Sequence, residues 1–302
     1  MNRGDLLQKQ LLPLSSKIEM SKRRIREFYN EMDGGVYVAF SGGKDSTVLL
    51  HLVRSIYPDI PAVFVDTGLE YPEIREFVKK TKSVTWLKPK MNFRQVIDKY
   101  GFPIVSKRVA YQLRQLRNPR ESNKATRRFY LTGIKKDGSY SSKFLLPKKW
   151  KYLIDAPFKI SEQCCYEMKK KPFKEYNKIN NSKPYIGIMA EDSSNRRALY
   201  LKRGCNVIDG ANIHSWPLSF WLQKDIWDYI KKYNLDYSSI YDKGVDNTGC
   251  IFCMFGVHLE SEPNRFQCLK RTHPKLWDYC INKLGLKEVL EYIGVDYENE
   301  NV

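Results

Sequence analysis

Tyr37-Val-Ala-Phe-Ser-Gly-Gly-Lys-Asp-Ser-Thr47 is the stretch that decides the fold. Tyr37 to Phe40 are four apolar or aromatic residues in a row, the pattern of a short buried strand. Ser41 to Ser46 then make a tight turn, and Thr47-Val-Leu-Leu-His-Leu-Val53 continues as a helix. Gly42 and Gly43 let the backbone approach a ligand closely. The N–H groups at a helix start, and the helix dipole, favour an anion in front of them. Ser41, Ser46 and Thr47 add hydroxyls and Lys44 adds a positive charge, so a phosphate or sulfate group is expected in this turn. The spacing is neither that of a Walker A loop nor GxGxxG.

Outward from this turn, strands alternate with helices. Ile60–Val65 reads as a second strand, with Asp66-Thr-Gly-Leu-Glu-Tyr-Pro-Glu73 at its carboxyl end. Pro72 suits the first turn of a helix running to about Lys80. Val84–Lys88 is a third strand, and Asn92–Tyr100 a helix closed by Gly101. Tyr185–Met189 is another strand, followed by Glu191-Asp-Ser-Ser-Asn-Arg196. Ile213–Leu218 reads as extended and Gln223–Tyr233 as an amphipathic helix. This alternation predicts an α/β chain with a doubly wound, mostly parallel twisted sheet, whose ligands sit at the carboxyl ends of its strands.

Three segments are expected: a helical leader over 1–33, broken near Pro13; a nucleotide-binding domain over 34–253; and a helical C-terminal segment over 254–302. Ser106–Leu116 reads as a helix, whereas 117–158 has no clear period, with a β-hairpin expected around Lys136-Asp-Gly-Ser139.

An apolar fraction of 42% with 28% charged residues is that of a soluble globular protein. No run of eighteen apolar residues occurs and the first residues lack a signal-peptide pattern, so a cytoplasmic location without a membrane partner is expected. The net charge of +18 is concentrated: residues 104–183 hold 21 Lys/Arg against 6 Asp/Glu. This basic insertion is interleaved with Tyr111, Phe129, Tyr130, Tyr140, Phe144, Trp150 and Tyr152, which points to a polyanion, nucleic acid above all. Arg114, Arg117, Arg120, Lys124, Arg127 and Arg128 recur at a spacing compatible with one helix face or a short arm.

Among seven cysteines, the vicinal Cys164-Cys165 and Cys250-Ile-Phe-Cys253 stand out. Four soft thiolates suit an iron–sulfur cluster or zinc. Adjacent cysteines fit a single tetrahedral zinc poorly, whereas the separate iron corners of a 4Fe-4S cubane can each take one.

Together these stretches resemble the ATP-pyrophosphatase superfamily. Within it they resemble the phosphoadenylyl-sulfate (PAPS) and adenylyl-sulfate reductase family, in its iron–sulfur branch, near the DNA phosphorothioation ATP pyrophosphatases. Ser41–Ser46 is similar to the family's phosphosulfate loop, Asp66–Glu73 to its DTG segment, and Gly187–Arg196 to its Ser-x-x-Arg stretch. Trp216–Ile230 and Tyr241-Asp-Lys-Gly244 match further segments, and Cys164-Cys165 with Cys250 and Cys253 match the four ligands of a 4Fe-4S cluster.

The resemblance implies an adenine nucleotide alpha hydrolase-like, Rossmann-like fold. It implies that Ser41, Gly42, Gly43, Lys44, Asp45, Ser46, Asp66, Thr67, Gly68, Ser193 and Arg196 bind ATP or adenylyl-sulfate. Lys44, Asp45 and Arg196 would act in catalysis, with Mg²⁺ on Asp45 or Asp66. The metal site on Cys164, Cys165, Cys250 and Cys253 would hold a 4Fe-4S cluster, with zinc as the alternative.

The reductases carry a Glu-Cys-Gly-(Ile/Leu)-His tail, and no cysteine follows Cys280 here. Cys268, with basic neighbours, is a better nucleophile than Cys280, though a plain helix-face residue is the favoured reading of it. This departure and the basic insertion favour relatives that use ATP to adenylate an oxygen and let sulfur displace AMP. The expected acceptor is DNA or tRNA and the sulfur donor a protein such as a cysteine desulfurase, with an oligomer in scope. The alternatives are an adenylyl-sulfate or PAPS reductase producing sulfite, and a non-catalytic nucleotide- or redox-sensing module on nucleic acid.

Overall fold

The computed structural model describes residues 2–298. In chain order the elements are α1 (Arg3–Leu11), α2 (Leu14–Glu31), β1 (Val36–Ala39), α3 (Lys44–Arg54), β2 (Ala62–Val65), α4 (Pro72–Lys80), β3 (Val84–Leu87), α5 (Phe93–Tyr100), β4 (Ile104–Val105), α6 (Lys107–Arg117) and α7 (Lys124–Thr132). They continue as α8 (Lys171–Asn180), β5 (Lys183–Ile186), α9 (Ser194–Arg203), β6 (Asn206–Val207), β7 (His214–Ser215), α10 (Gln223–Tyr233), β8 (Met254–Phe255), α11 (Arg265–Thr272), α12 (Pro274–Asp278) and α13 (Leu286–Tyr292).

Contacts divide the chain into two compact units. The first comprises Met1–Asp66, Glu70–Lys88 and Pro172–Thr248; the second comprises Thr67–Leu69, Pro89–Lys171 and Gly249–Val302. The expected leader therefore joins the sheet, and the expected C-terminal segment joins most of the basic insertion. Of the expected terminal segments, Met1 and residues 299–302 lie outside the described residues.

In the first unit six strands run in the order β3-β2-β1-β5-β7-β6. All neighbours are parallel except β6 and β7. Every residue of β2 is buried, which is what a parallel strand covered on both faces requires. Pro13 separates α1 from α2, because it has no amide to continue the first helix and suits the residue before the second. Deep in this unit Lys17 Nζ lies 2.6 Å from Asp225 Oδ2, and it also donates to the Gln10 carbonyl at 2.7 Å. Asp225 Oδ2 in turn accepts the Leu222 amide at 2.7 Å, capping α10.

In the second unit β4 pairs in parallel with β8. The hairpin expected around Lys136–Ser139 is reduced to one bridge, Ile134 with Tyr140, closed by Lys135 N–H donating to the Ser139 carbonyl at 2.8 Å. The chain before it forms α7, which Gly133 ends in the left-handed region at φ 76°. A helix of nine residues thus stands where no period was legible. Among the described residues no helix is long and apolar enough to cross a membrane.

Candidate functional site

The glycine turn joins β1 to α3 in the first unit, and α3 begins at Lys44, three residues before the helix expected from Thr47. Gly42 adopts φ 73°, and a Cβ on it would lie 2.7 Å from Val78 and 2.9 Å from Ile74 of α4, so only glycine fits. A Cβ on Gly187 would meet the Asp45 backbone at 3.1 Å, so the end of β5 can approach the turn closely. Ser41 and Ser46 are joined hydroxyl to hydroxyl at 3.0 Å, and Ser46 and Thr47 both donate to the Gly43 carbonyl. These hydroxyls brace the turn. The Gly43 amide donates to Ser41 Oγ at 3.3 Å.

A second segment of the same unit lies on this turn. The Lys44 amide donates to Tyr241 Oη at 2.8 Å, and Tyr241 is 3.2 Å from Thr248 Oγ1. Lys44 Nζ is buried, donates to the Asp246 carbonyl at 3.0 Å and sits 5.3 Å from the centre of the Tyr241 ring. Burial raises the Tyr241 hydroxyl above the usual tyrosine range, keeping it protonated.

Asp45 follows Lys44 in the first turn of α3. Its Oδ1 is buried without a hydrogen-bond partner, and Lys44 Nζ stays 3.8 Å away. Burial raises this carboxyl above its ordinary value; Lys44 and Arg196 oppose the rise and Asp192 adds to it. Asp192 is the residue that sequence reasoning passed over, although it lies within the quoted Glu191–Arg196 stretch. Its Oδ2 accepts the Met189 amide at 3.0 Å and pairs with Arg196. Ser193 caps α9 by accepting the Arg196 amide at 3.2 Å. The structure thus brings Lys44, Asp45, Asp192 and Arg196 into one electrostatic group.

Asp66 is held apart from that role by a 2.8 Å ion pair with Arg75. Thr67 and Gly68 belong to the second unit, where Thr67 Oγ1 accepts the Leu69 amide at 3.1 Å. Of the two carboxylates, Asp45 has a buried oxygen that lacks a hydrogen bond and meets Lys44 only at ion-pair distance, and it fits a hard cation better than Asp66 does.

The second unit gathers the four expected cysteines. All seven cysteines of the chain are thiols. Burial pushes the Cys164 thiol far above the ordinary range, and Cys165, Cys250 and Cys253 each add to the rise, so the four sit within reach of one another's charge. Burial also raises Cys253, against which the Phe255 amide, Arg265 and Lys107 act. The Cys250–Cys253 turn is closed by Cys253 N–H on the Cys250 carbonyl at 3.1 Å, and Arg265 donates to the Cys253 carbonyl at 2.9 Å.

Among the described residues no three His, Cys, Asp or Glu side chains are drawn together as a single metal ion needs. Four neighbouring thiols, an N–H on one sulfur and the cations Lys107, Lys169 and Arg265 around them suit an anionic thiolate cluster, which spreads its ligands over separate irons. Cys280 is fully buried and its thiol is raised by that burial, which leaves Cys268, on α11, as the more accessible single cysteine.

The arginines at three- and four-residue spacing do not share one face. Arg114 makes two bonds to the Glu162 carboxylate, at 3.0 and 2.7 Å. Arg117 is spent on the carbonyls of Phe158 and Ala156, at 2.5 and 2.7 Å. These two hold α6 to the following chain, while Arg120, Lys124 and Arg128 are exposed.

The sequence profile of the phosphoadenosine phosphosulfate reductase domain matches residues 35–143 and 146–255. An uncharacterized protein of Methanocaldococcus jannaschii is 28% identical over 86% of this chain and 43% of its own length. A second from that organism is 25% identical over 93% of this chain and 54% of its own length, so the chain spans about half of these two relatives. An adenosine 5'-phosphosulfate reductase of Staphylococcus haemolyticus is 24% identical over 78% of this chain and 77% of its own length. Among solved structures, the PAPS reductase of Candida auris in a phosphate complex is 15% identical, with a TM-score of 0.42, over 72% of this chain and 81% of that one.

Proposed function

The chain belongs to the phosphoadenosine phosphosulfate reductase domain family, and from that premise we propose an ATP-dependent, iron–sulfur sulfurtransferase-type enzyme that acts on nucleic acid. One observation carries the reading: the buried, unbonded Oδ1 of Asp45, grouped with Lys44 and Arg196 beside the glycine turn. A carboxylate so placed takes Mg²⁺ on a nucleotide's phosphates, and the two cations beside it neutralise charge as a phosphate ester breaks.

In the proposed reaction an acceptor oxygen attacks the α-phosphorus of ATP. The bond to the bridging oxygen breaks, and its electron pair leaves with pyrophosphate. The outer sulfur of a donor persulfide then bonds to the adenylated acceptor as the bond to the AMP oxygen breaks and AMP leaves. A dithiol reductant supplies the two electrons that cleave the resulting S–S bond and free the thiolated acceptor. Gly42 and Gly43 keep the backbone close to the phosphates, Lys44 and Arg196 balance the charge developing on the α-phosphate, and Asp45 with Asp192 positions the cations. The cluster implied at Cys164, Cys165, Cys250 and Cys253 would supply a soft metal centre able to hold sulfur. The basic second unit supports nucleic acid as the acceptor.

Incubation with α-labelled ATP tests this reading: AMP and pyrophosphate should appear, and the yield should rise with the correct acceptor. A second reading, reduction of adenylyl-sulfate, is favoured by the Staphylococcus haemolyticus relative. It would appear as sulfite released from adenylyl-sulfate in the presence of a dithiol reductant, without pyrophosphate from ATP. Neither product would leave a nucleotide- or redox-sensing module. For the metal, an anaerobically prepared sample that is brown and absorbs broadly in the visible supports the cluster, whereas a colourless one with stoichiometric zinc overturns it.

A further inference from the structure

Within the second unit, α6, α7 and the turn at residues 142–144 mount a row of aromatic rings. Tyr111 lies 6.4 Å from Tyr130, Tyr130 lies 6.1 Å from Phe129, and Phe129 lies 6.0 Å from Phe144. The inner ring of Tyr130 is buried, while Tyr111 and Phe144 at the two ends are exposed. Phe144 is held from beneath: the buried Gln112 amide donates to its carbonyl at 2.5 Å, and Leu146 N–H donates to the Tyr130 carbonyl at 2.8 Å. A third exposed ring, Tyr140, is 67% exposed although its backbone is fixed by the bridge to Ile134, and its edge rests against Gly133.

Single exposed rings are ordinary on a protein surface, but exposed rings carried on neighbouring elements beside cations offer a contact surface. Cations surround them. Lys143 Nζ is 5.7 Å from the Phe144 ring centre, Arg108 reaches the Lys143 carbonyl, and Arg128 is exposed on α7. Rings offer π-faces to unstacked bases, while the neighbouring cations meet the phosphates between them. A duplex, whose bases are already stacked on one another, gains nothing from such rings.

We infer that Tyr111, Tyr140 and Phe144, with Arg108, Arg128 and Lys143, form a stacking platform for unpaired nucleotides, so that the acceptor is a single strand or a loop. This rests on reading the second unit as a nucleic-acid surface, and it adds which form of nucleic acid is taken. The platform contacts every base through its face, so it tolerates many sequences; selection among targets then follows from where a strand is unpaired.

The test is fluorescence anisotropy on the full chain, with labelled unstructured single strands of RNA and DNA, a duplex of the same sequence, and anionic vesicles as competitor. The single strand should bind at least tenfold tighter than the duplex. Tyr140→Leu and Phe144→Leu should each weaken single-strand binding by roughly five- to a hundredfold, with the salt slope unchanged. Arg128→Glu with Lys143→Glu should flatten that slope by about 0.7 per lost contact on a single strand. All four positions are exposed, so circular dichroism should show wild-type folding. Equal affinity for duplex, with no effect of the ring variants, would overturn the platform and leave the nucleic-acid reading standing. No binding to any oligonucleotide, or ring-dependent binding to the vesicles alone, would overturn both.

Discussion

The hydroxyl of Tyr241 accepts the backbone N–H of Lys44 at 2.8 Å, across 197 positions of sequence. That amide opens α3, at the place where a helix start offers its donors to an anion. A phosphate arriving at the turn competes with the tyrosine for the same proton. Tyr241→Phe removes the competitor, and the expected outcome is tighter ATP binding by about two- to tenfold, the worth of one net hydrogen bond of ~0.5–1.5 kcal/mol. Calorimetric titration checks it; weaker binding would show that the hydroxyl instead serves the phosphate.

Asp45 gives a pH dependence whose sign follows from burial. Its folded carboxyl holds a proton more tightly than the ordinary value of 3.8. Wild-type stability therefore rises as pH falls through the raised value, and the gain is complete below 3.8. Asp45→Asn stays neutral throughout. Its melting temperature should exceed that of wild type at neutral pH, with the difference shrinking toward zero below about pH 4. Stabilisation by Mg²⁺-ATP should be lost in the same variant.

Gly42→Ala should destabilise the first unit on two counts. A left-handed backbone costs a Cβ-bearing residue about 1–2 kcal/mol. Overpacking against Val78 and Ile74 adds about 1–3 kcal/mol. Denaturant unfolding should show a lower midpoint at unchanged slope.

Lys17→Met should cost about 3–5 kcal/mol, because it leaves the Asp225 carboxylate buried and unpaired. Adding Asp225→Asn restores neutrality and keeps an acceptor for the Leu222 amide. The double variant should recover most of the loss in a thermal melt. Equal instability of single and double variants would mean that packing, not charge, decides the site.

Much of the sheet was legible because its signals are local. Pro72 opens α4 and Asn234, with φ 46°, closes α10, so both helices fall where the sequence placed them. The two-residue strands were not legible: β4 exists only because Ile104 finds Met254, and β6 only because Asn206 faces Ser215. The same holds at the site. The glycine turn announces itself, but the hold of Tyr241 on Lys44 depends on distant chain, as do the carbonyls that consume Arg117. Asp192 has no signal of its own, and its part emerges from the Met189 amide and Arg196 folded around it.

The pairing of β4 with β8, and of Cys164 and Cys165 with the Cys250–Cys253 turn, also sets an order of events during synthesis. Cys165 leaves the ribosome about 85 positions ahead of Cys250, an interval of roughly 4–17 s at about 5–20 residues per second. Throughout that interval two of the four proposed sulfur ligands have no counterpart to close on. Iron delivered early would meet a two-thiol site, and an oxidant could join the adjacent sulfurs first. On the proposed cluster assignment, a reducing surrounding would matter while the chain is being made, before the four sulfurs can meet.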